Sequence, residues 1–188
     1  MIQETIVTTQ NSTGETHIAP MGIHVAGDEF VILPFKPSIT LDNILANKSA
    51  IINYTDDVRI FAGSLTGHLD WPLKKAKKVK GYFLENSLAH CEVELTHVED
   101  DPVRPKLFCR AIQRVTHAPF AGFNRAQFSV LEAAILLSRI TRLSPAKIHT
   151  ELEYLHIGFN KTAGPHEREA WGWVTKAIEQ KLRELQAQ

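Results

Sequence analysis

The sequence lacks most of the residue patterns that point directly to a reaction. Among its 188 residues are only two cysteines, Cys91 and Cys109, and neither lies in a CxxC motif or at a metal-ligand spacing. We therefore expect two buried free thiols in a reducing compartment, and a disulfide only as the less favoured alternative. The GxSxG, HExxH, GxGxxG and P-loop patterns are also missing from the chain. Hydrolytic and metal-dependent reactions therefore lack their usual residues.

Neither charge nor hydrophobicity is concentrated along the chain. Lysine and arginine number 21, as do aspartate and glutamate, so no overall field favours nucleic acid or an anionic membrane. No apolar run approaches the roughly 18 residues of a membrane span, and the N-terminus MIQETIVTTQ does not resemble a signal peptide. The lysine cluster at 74–80 contains no aromatic residue for base stacking, which favours a solvated loop. We expect a cytoplasmic protein without a nucleic-acid or membrane partner.

The first two thirds of the chain have the residue pattern of strands. β-Branched and alternating apolar residues predict strands at 3–9, 16–25, 29–35, 49–55, 89–96 and 106–117. A short helix is expected at about 40–48, and the segment 68–80 favours a surface loop. In the strand that starts at Ala89, the residues Cys91 and Val93 alternate with His90 and Glu92, which predicts one core face and one solvated face.

The last third changes to a helical period. Asn124 is a suitable N-cap for a largely buried helix. Ser144 with Pro145 begins a second helix that we expect to end at Gly158, and a third covers 165–186. Six strands followed by helices predict an α+β protein, an antiparallel barrel or sandwich with a helical appendage. The corresponding domains are residues 1–120 and 121–188.

Metal binding is not favoured by the remaining polar residues. The nine histidines are scattered, and only His90 and His97 approach a ligand spacing, on opposite faces of a predicted strand. Asp56 and Asp57 precede a short helical segment, where an N-cap is the ordinary role and a divalent metal site the alternative. We predict no metal site and assign no catalytic side chain.

The most informative polar cluster lies in PFKPSITLDN, between two apolar strands. Lys36, Ser38, Thr40 and Asn43 fall within a turn and the start of a helix, where free backbone N–H groups and the helix dipole favour an anion. A lysine and two hydroxyls beside that end are consistent with a phosphate. By spacing alone, a simple helix cap at Ser38 or Thr40 is favoured over a phosphate site, with Pro37 setting the turn and Lys36 in solvent.

Several motifs in a fixed order connect this cluster to a known family. They are ETIVTT, HIAPMGI, PFKPSITLDNI, INYTDD, GFNRA and KTAG, and together they extend over nearly the whole chain. In this order and spacing the sequence resembles a family of small FMN-binding split-barrel proteins without an assigned reaction, related to the flavin reductases. The resemblance implies a six-stranded antiparallel split barrel with a C-terminal helical appendage. It also implies a homodimer with the flavin near the subunit interface.

The resemblance further implies a set of flavin-binding residues. Lys36, Ser38, Thr40 and Asn43 would bind the phosphate. The isoalloxazine ring or the ribityl chain would be lined by Thr8, Thr9, Met21, Gly22, Asn53 and Thr55. Arg125 in GFNRA and Lys161 in KTAG would reach an anionic part of the ligand, with ordinary surface charge as the alternative.

The function implied is FMN binding, in an oxidoreductase or flavin reductase-like protein of unassigned substrate. Hydride would pass between flavin N5 and NADH, NADPH or another donor, while the protein orients and shields the ring. The alternative is a flavin- or ligand-binding module without turnover, such as a carrier, sensor or assembly factor. A third possibility is an activity like that of pyridoxamine phosphate oxidase, for which the sequence identifies no substrate-phosphate contacts.

Overall fold

The computed structural model of the protein describes residues 1–187. Its strands are β1 (Ile2–Gln10), β2 (Thr16–Ala26), β3 (Glu29–Ile32), β4 (Ser49–Tyr54), β5 (Leu73–Lys75), β6 (Tyr82–Leu84), β7 (Ala89–Glu99) and β8 (Lys106–Thr116). Its helices are α1 (Ile39–Asn47), α2 (Val58–Thr66), α3 (Arg125–Ser138), α4 (Pro145–Thr162) and α5 (Pro165–Gln186), with a 3-10 turn at Ile140–Arg142. Within residues 1–187, no helix combines the length and the apolar character needed to cross a bilayer.

Six of the strands close into a barrel in the order β1-β2-β3-β8-β7-β4, and every neighbouring pair is antiparallel. Alternate side chains point inward, as the two-residue period of a strand requires. Val7, Ile23, Ile52 and Leu107 are fully buried in the resulting core. The predicted six-stranded antiparallel barrel with C-terminal helices is therefore confirmed.

Helix α1 packs its apolar face into the same core. Leu41 and Ile44 belong to the apolar cluster of the barrel. Ser38 is the N-cap, and its hydroxyl accepts a hydrogen bond from the N–H of Leu41 across 3.4 Å. Lys48 follows the helix as its C-cap, adopts a left-handed conformation with φ of 56° and donates its N–H to the carbonyl of Ile44. The expected helix after β3 is thus confirmed within a residue at each end.

The segment 68–80, predicted to be a surface loop, instead contains the first strand of a two-stranded hairpin. Strands β5 and β6 pair with each other, and each has only three residues. Phe83 and Ala76 pack with Ile51 of β4 in a small apolar cluster, on the side of β4 away from the core residue Ile52. Strands this short have no readable alternation, so the sequence pattern could not reveal them.

The described part of the chain forms two compact units. The barrel unit comprises Met1–Thr55 and Asp70–Phe120, while Asp56–Leu69 groups with the chain that follows Ala121. The sequence division at residue 120 therefore differs from this grouping in the position of α2, which belongs with the helices. In the helical unit the core is formed by Val130, Ala133, Leu137, Ile148, Val174 and Ile178.

Two predictions about the helices need correction, although the caps at Asn124 and Ser144 are confirmed. α4 does not end at Gly158 but continues to Thr162. A Cβ at Gly158 would lie 3.3 Å from the hydroxyl of Ser129 on α3, so glycine serves close helix packing there. Phe128 lies on α3, the helix expected to be largely buried, but its side chain is 51% exposed.

Candidate functional site

The loop before α1 carries the most accessible of the predicted phosphate ligands. The ammonium of Lys36 lies 2.5 Å from Asp100 Oδ1, and the two side chains are 35% and 80% exposed. The backbone N–H of Lys36 donates to the carbonyl of Val103 at 2.9 Å. Arg104 Nε donates to the carbonyl of Leu33 at 3.0 Å. The loop is therefore anchored to the β7–β8 connection, and its cation remains accessible to solvent.

The N-terminus of α1 adds a second source of positive potential beside Lys36. The peptide dipoles of the nine-residue helix place partial positive charge at that end. The capping bond from Leu41 N–H to Ser38 Oγ is long at 3.4 Å, and Ser38 itself is half-buried. Helix end, hydroxyl and ammonium fall within a few residues, which is an arrangement suited to an oxyanion. Capping and anion binding are compatible here.

Thr40 and Asn43 face inward from the same helix. Thr40 is only 1% exposed and Asn43 5%. Asn43 Nδ2 donates to the hydroxyl of Thr9 on β1 at 3.0 Å. The structure thus brings Asn43 together with Thr9, but as an internal bond that fixes α1 against the barrel.

Thr8 and Asn53 are also brought together, on the outer wall of the barrel. Asn53 Nδ2 donates to Thr8 Oγ1 at 3.2 Å, and Asn53 Oδ1 accepts from the N–H of Leu84 at 2.8 Å. The hydroxyl of Thr8 donates to the carbonyl of Tyr82 at 2.7 Å. Both side chains are fully buried. In this structure they hold strand β6 on the barrel and present no surface to a ligand.

The remaining predicted residues of the barrel lie on β2 and just after β4. Met21 is half-buried against the barrel core. Gly22 pairs with Glu4, and a Cβ there would lie 3.2 Å from the carboxylate of Glu4. Thr55 directly follows β4 and is half-buried. Met21, Gly22 and Thr55 therefore retain some accessible surface, unlike Thr8 and Asn53.

Arg125 and Lys161 belong to the helical unit, at the start of α3 and in the last turn of α4. Both are exposed. Asn124 Nδ2 donates to the carbonyl of Thr162 at 3.2 Å, and Thr162 Oγ1 accepts from the N–H of Ala126 at 3.0 Å. These bonds join the two helix ends, so both cations lie at the same end of the helical unit.

A second polar cluster was missed because its residues were assigned to a solvated strand face. Glu92 is fully buried, and His90 is 3% exposed. The carboxylate of Glu92 accepts backbone N–H groups of Lys77, Lys78 and Val79 at 3.0, 2.6 and 2.8 Å. The β5–β6 connection covers this face, so the expectation of a solvated face is wrong here. Because the residues that bury Glu92 lie more than ten positions away in the sequence, the residue pattern of β7 alone does not predict this burial.

The environment of this cluster shifts both ionisable groups. Burial alone would raise the pKa of Glu92, but the three backbone N–H groups and His90 hold that pKa below its ordinary value. Burial lowers the pKa of His90 and outweighs the opposing effect of Glu92. Glu92 is therefore an anion and His90 neutral near pH 7. Residues 1–187 contain no group of three or more His, Cys, Asp and Glu side chains placed to hold a metal ion.

The chain belongs to a protein family of unknown function, DUF447. The model of the family's N-terminal domain matches residues 3–118, and the model of a second DUF447 region matches residues 124–176. The first match alone covers more than half of the chain. The two matches meet between the barrel strands and α3.

Solved structures share the fold. The FMN-bound protein MM1853 from Methanosarcina mazei, itself assigned to DUF447, has a TM-score of 0.79 at 21% identity, over 94% of each chain. The 2-nitrobenzoate 2-nitroreductase NbaA from Pseudomonas fluorescens has a TM-score of 0.54 at 20% identity, over 61% of this chain and 64% of its own. Flavoredoxin of Desulfovibrio vulgaris has a TM-score of 0.52 at 11% identity, over 62% of this chain and 70% of its own.

Proposed function

We propose that this protein binds FMN, with the flavin phosphate at the loop before α1. The observation that carries the proposal is the exposed ammonium of Lys36 beside the N-terminus of α1. Support comes from the FMN-bound DUF447 protein, whose fold extends over 94% of both chains. A flavin phosphate carries two negative charges, which match a lysine and a helix N-terminus.

The accessible residues of the predicted site are better placed to contact FMN than the buried ones. Lys36 and Ser38 are the proposed direct phosphate ligands, whereas Thr40 and Asn43 fix the helix that presents them. Met21, Gly22 and Thr55 are the proposed contacts along the ring and ribityl chain. Thr8, Thr9 and Asn53 support the barrel wall. Arg125 and Lys161 are proposed contacts to an anionic part of the ligand.

The proposed activity is that of a flavin-dependent oxidoreductase that accepts electrons from NADH, NADPH or another donor. Bound FMN would supply the hydride-accepting chemistry, and the chain would bind, orient and shield it. We further propose a homodimer, which sedimentation of the purified protein tests. The second candidate is a module that binds flavin without turnover, since a cation at Lys36 and the N-terminus of α1 would suffice for binding alone.

Spectroscopy of the purified protein separates these possibilities. We expect FMN addition to give a bound flavin spectrum, and anaerobic NADH or NADPH to bleach it. Bound flavin that stays oxidised with NADH, with NADPH and with dithionite-reduced viologen would favour the module. A protein that takes up no FMN would overturn both.

A titration that follows FMN fluorescence tests whether the flavin phosphate binds at the loop before α1. Lys36→Ala is expected to weaken FMN binding about 10- to 100-fold, because a charged hydrogen bond contributes about 1.5–3 kcal/mol. Ser38→Gly removes the hydroxyl while costing the helix only about a few tenths of a kcal/mol as an N-cap. Lys181→Ala, at an exposed lysine of α5, is the matched control. Unchanged affinity in both loop variants would place the phosphate elsewhere.

A further inference from the structure

The outward face of α3 is more apolar than the face of a helix beside water normally is. Between residues 126 and 137 the only charged side chain is that of Glu132. Val130 and Ala133 lie on the inward side and belong to the core of the helical unit, whereas Phe128 is 51% exposed. A helix that is apolar around its circumference is normally buried on all sides. The outward face of α3 therefore has the composition of a surface that another element covers.

A groove of about 230 Å³ lies between this face and α4. Along α3 it extends from Phe128 to Arg139, just after the last helical residue. Along α4 it extends from Leu155 back to Lys147. Its apolar lining consists of Phe128, Ile135, Leu136, Leu143, Tyr154 and Leu155. The groove thus offers an apolar contact surface along most of α3.

Two unpaired charges of opposite sign accompany the apolar lining. Glu132 and Arg139 both line the groove, and their separation of seven residues places them on one face, about 10 Å apart along the helix axis. Within residues 1–187 neither side chain forms a salt bridge. The other two charged residues of the groove, Lys147 and Glu151, are already paired at 2.9 Å. The best complement to the groove is therefore an apolar helix with an anion and a cation at the same spacing.

We propose that the groove receives the same face of a second copy of this chain, with the two α3 helices antiparallel about a two-fold axis. The axis passes midway between Ile135 and Leu136. Glu132 of each copy then lies level with the partner's Arg139, because both residues are equally far from the axis. A single pair of residues thereby forms two ion pairs, and α3 itself supplies the complement that its own charges require.

Apolar contacts accompany the two ion pairs in this arrangement. The same axis directs Phe128 of each copy towards the end of the groove that is lined by the partner's Leu143. The phenyl ring, which is half exposed in the single chain, is then removed from water, and this burial favours association. The inference rests on the homodimer proposed above, whose surface it names, and it requires no bound flavin.

Sedimentation of charge-reversal variants tests the pairing. Glu132→Arg places like charges opposite each other at both ends of the two-fold contact, and we expect the Kd of the dimer to rise about 10- to 50-fold. Arg139→Glu should weaken the dimer to a similar extent. The double variant Glu132→Arg/Arg139→Glu exchanges the two charges, so its dimer should regain the wild-type Kd within about three-fold.

An equimolar mixture of the two single variants gives the sharpest test. One variant then carries two cations on this face and the other carries two anions. The mixture should sediment as a heterodimer at a concentration where each variant alone is monomeric. Glu179→Arg, at an exposed position of α5, is the control and should leave the Kd of the dimer unchanged.

The outcomes separate this surface from the homodimer itself. A wild-type dimer that neither reversal weakens would place the contact on another surface and overturn this inference alone. Reversals that weaken the dimer without recovery in the double variant or in the mixture would overturn the pairing of Glu132 with the partner's Arg139. A wild-type chain that sediments as a monomer would overturn the homodimer as well, while FMN binding is measured separately by titration.

Discussion

The amide of Asn53 on β4 donates to the hydroxyl of Thr8 on β1 across 3.2 Å, and both side chains are fully buried. The sequence resemblance to FMN-binding split-barrel proteins predicts that both residues line the flavin, yet their hydrogen bonds hold the β5–β6 hairpin to the barrel wall. Thr8 binds the carbonyl of Tyr82, and Asn53 binds the N–H of Leu84. In the described structure these two predicted flavin contacts therefore support the barrel wall.

Asn53→Ala is expected to destabilise the protein without removing a direct flavin contact. The buried N–H of Leu84 loses its 2.8 Å acceptor, and such an unsatisfied group costs about 1–3 kcal/mol. Urea unfolding measures the loss. Asn160→Ala, at an exposed position of α4, should change the free energy of unfolding by less than about 0.5 kcal/mol. An equal, small change in the free energy of unfolding of both variants would contradict a stabilising role of the hydrogen bond between Asn53 and Leu84.

Asp100→Asn is expected to strengthen FMN binding about two- to five-fold. In the free protein Asp100 is the anion paired with Lys36, and that ammonium holds the pKa of Asp100 below its ordinary value. A phosphate must compete with it for the same cation, and exposed pairs of this kind are weak. The FMN fluorescence titration gives the ratio of Kd values. Weaker binding in Asp100→Asn would mean that Asp100 positions Lys36 instead of competing for it.

Stability is expected to fall as the pH is lowered below about 7. Burial lowers the pKa of His90, so between that value and about 6.5 the unfolded chain binds more protons than the folded one. Glu92, whose pKa is also lowered, adds a further loss as the pH falls below about 4.3 towards its folded value. His90 and Glu92 therefore both lower the stability of the folded protein as the pH falls.

Urea unfolding at several pH values measures this dependence. His90→Phe should flatten the slope between about pH 5 and pH 7, because a phenyl ring does not titrate. His149→Ala, at an exposed position of α4, should leave the slope as in the wild type. An unchanged slope in His90→Phe would assign the dependence to another group.

The two cysteines are expected to be unreactive in the folded protein. Both are buried free thiols, and burial raises the pKa of Cys91 to about 11 and of Cys109 to about 12. The thiolate is the reactive form, so a disulfide-exchange reagent at pH 8 should detect no fast thiol in native protein and two after denaturation. One fast thiol in the native state would contradict the burial of that residue.

The barrel strands and most helix starts could be predicted from the sequence. Ile23 and its neighbours on β2 alternate with a period of two, and Asn124 and Ser144 cap helices that begin at the next residue. These signals depend on residues within a few positions of one another. The boundaries predicted from these signals agree with the observed ones because capping and alternation depend on neighbouring residues alone.

The positions missed were those determined by distant segments. Gly158 lies inside a helix because α3 packs closely against it. Phe128 is exposed although the helix around it is apolar. At Gly158 the local pattern indicated a helix end, and the close approach of α3 explains why the helix continues.

The sequence by itself determined the barrel with its helices, the cationic loop at Lys36 and the family of this protein, since each follows from local periodicity or from motif order. Only the tertiary structure decided which polar residues are accessible. It buried His90 and Glu92 under the β5–β6 connection and used Thr8 and Asn53 to hold that hairpin. The physical reason is that burial and hydrogen-bond partners come from chain segments far apart in sequence, which no spacing within one segment records.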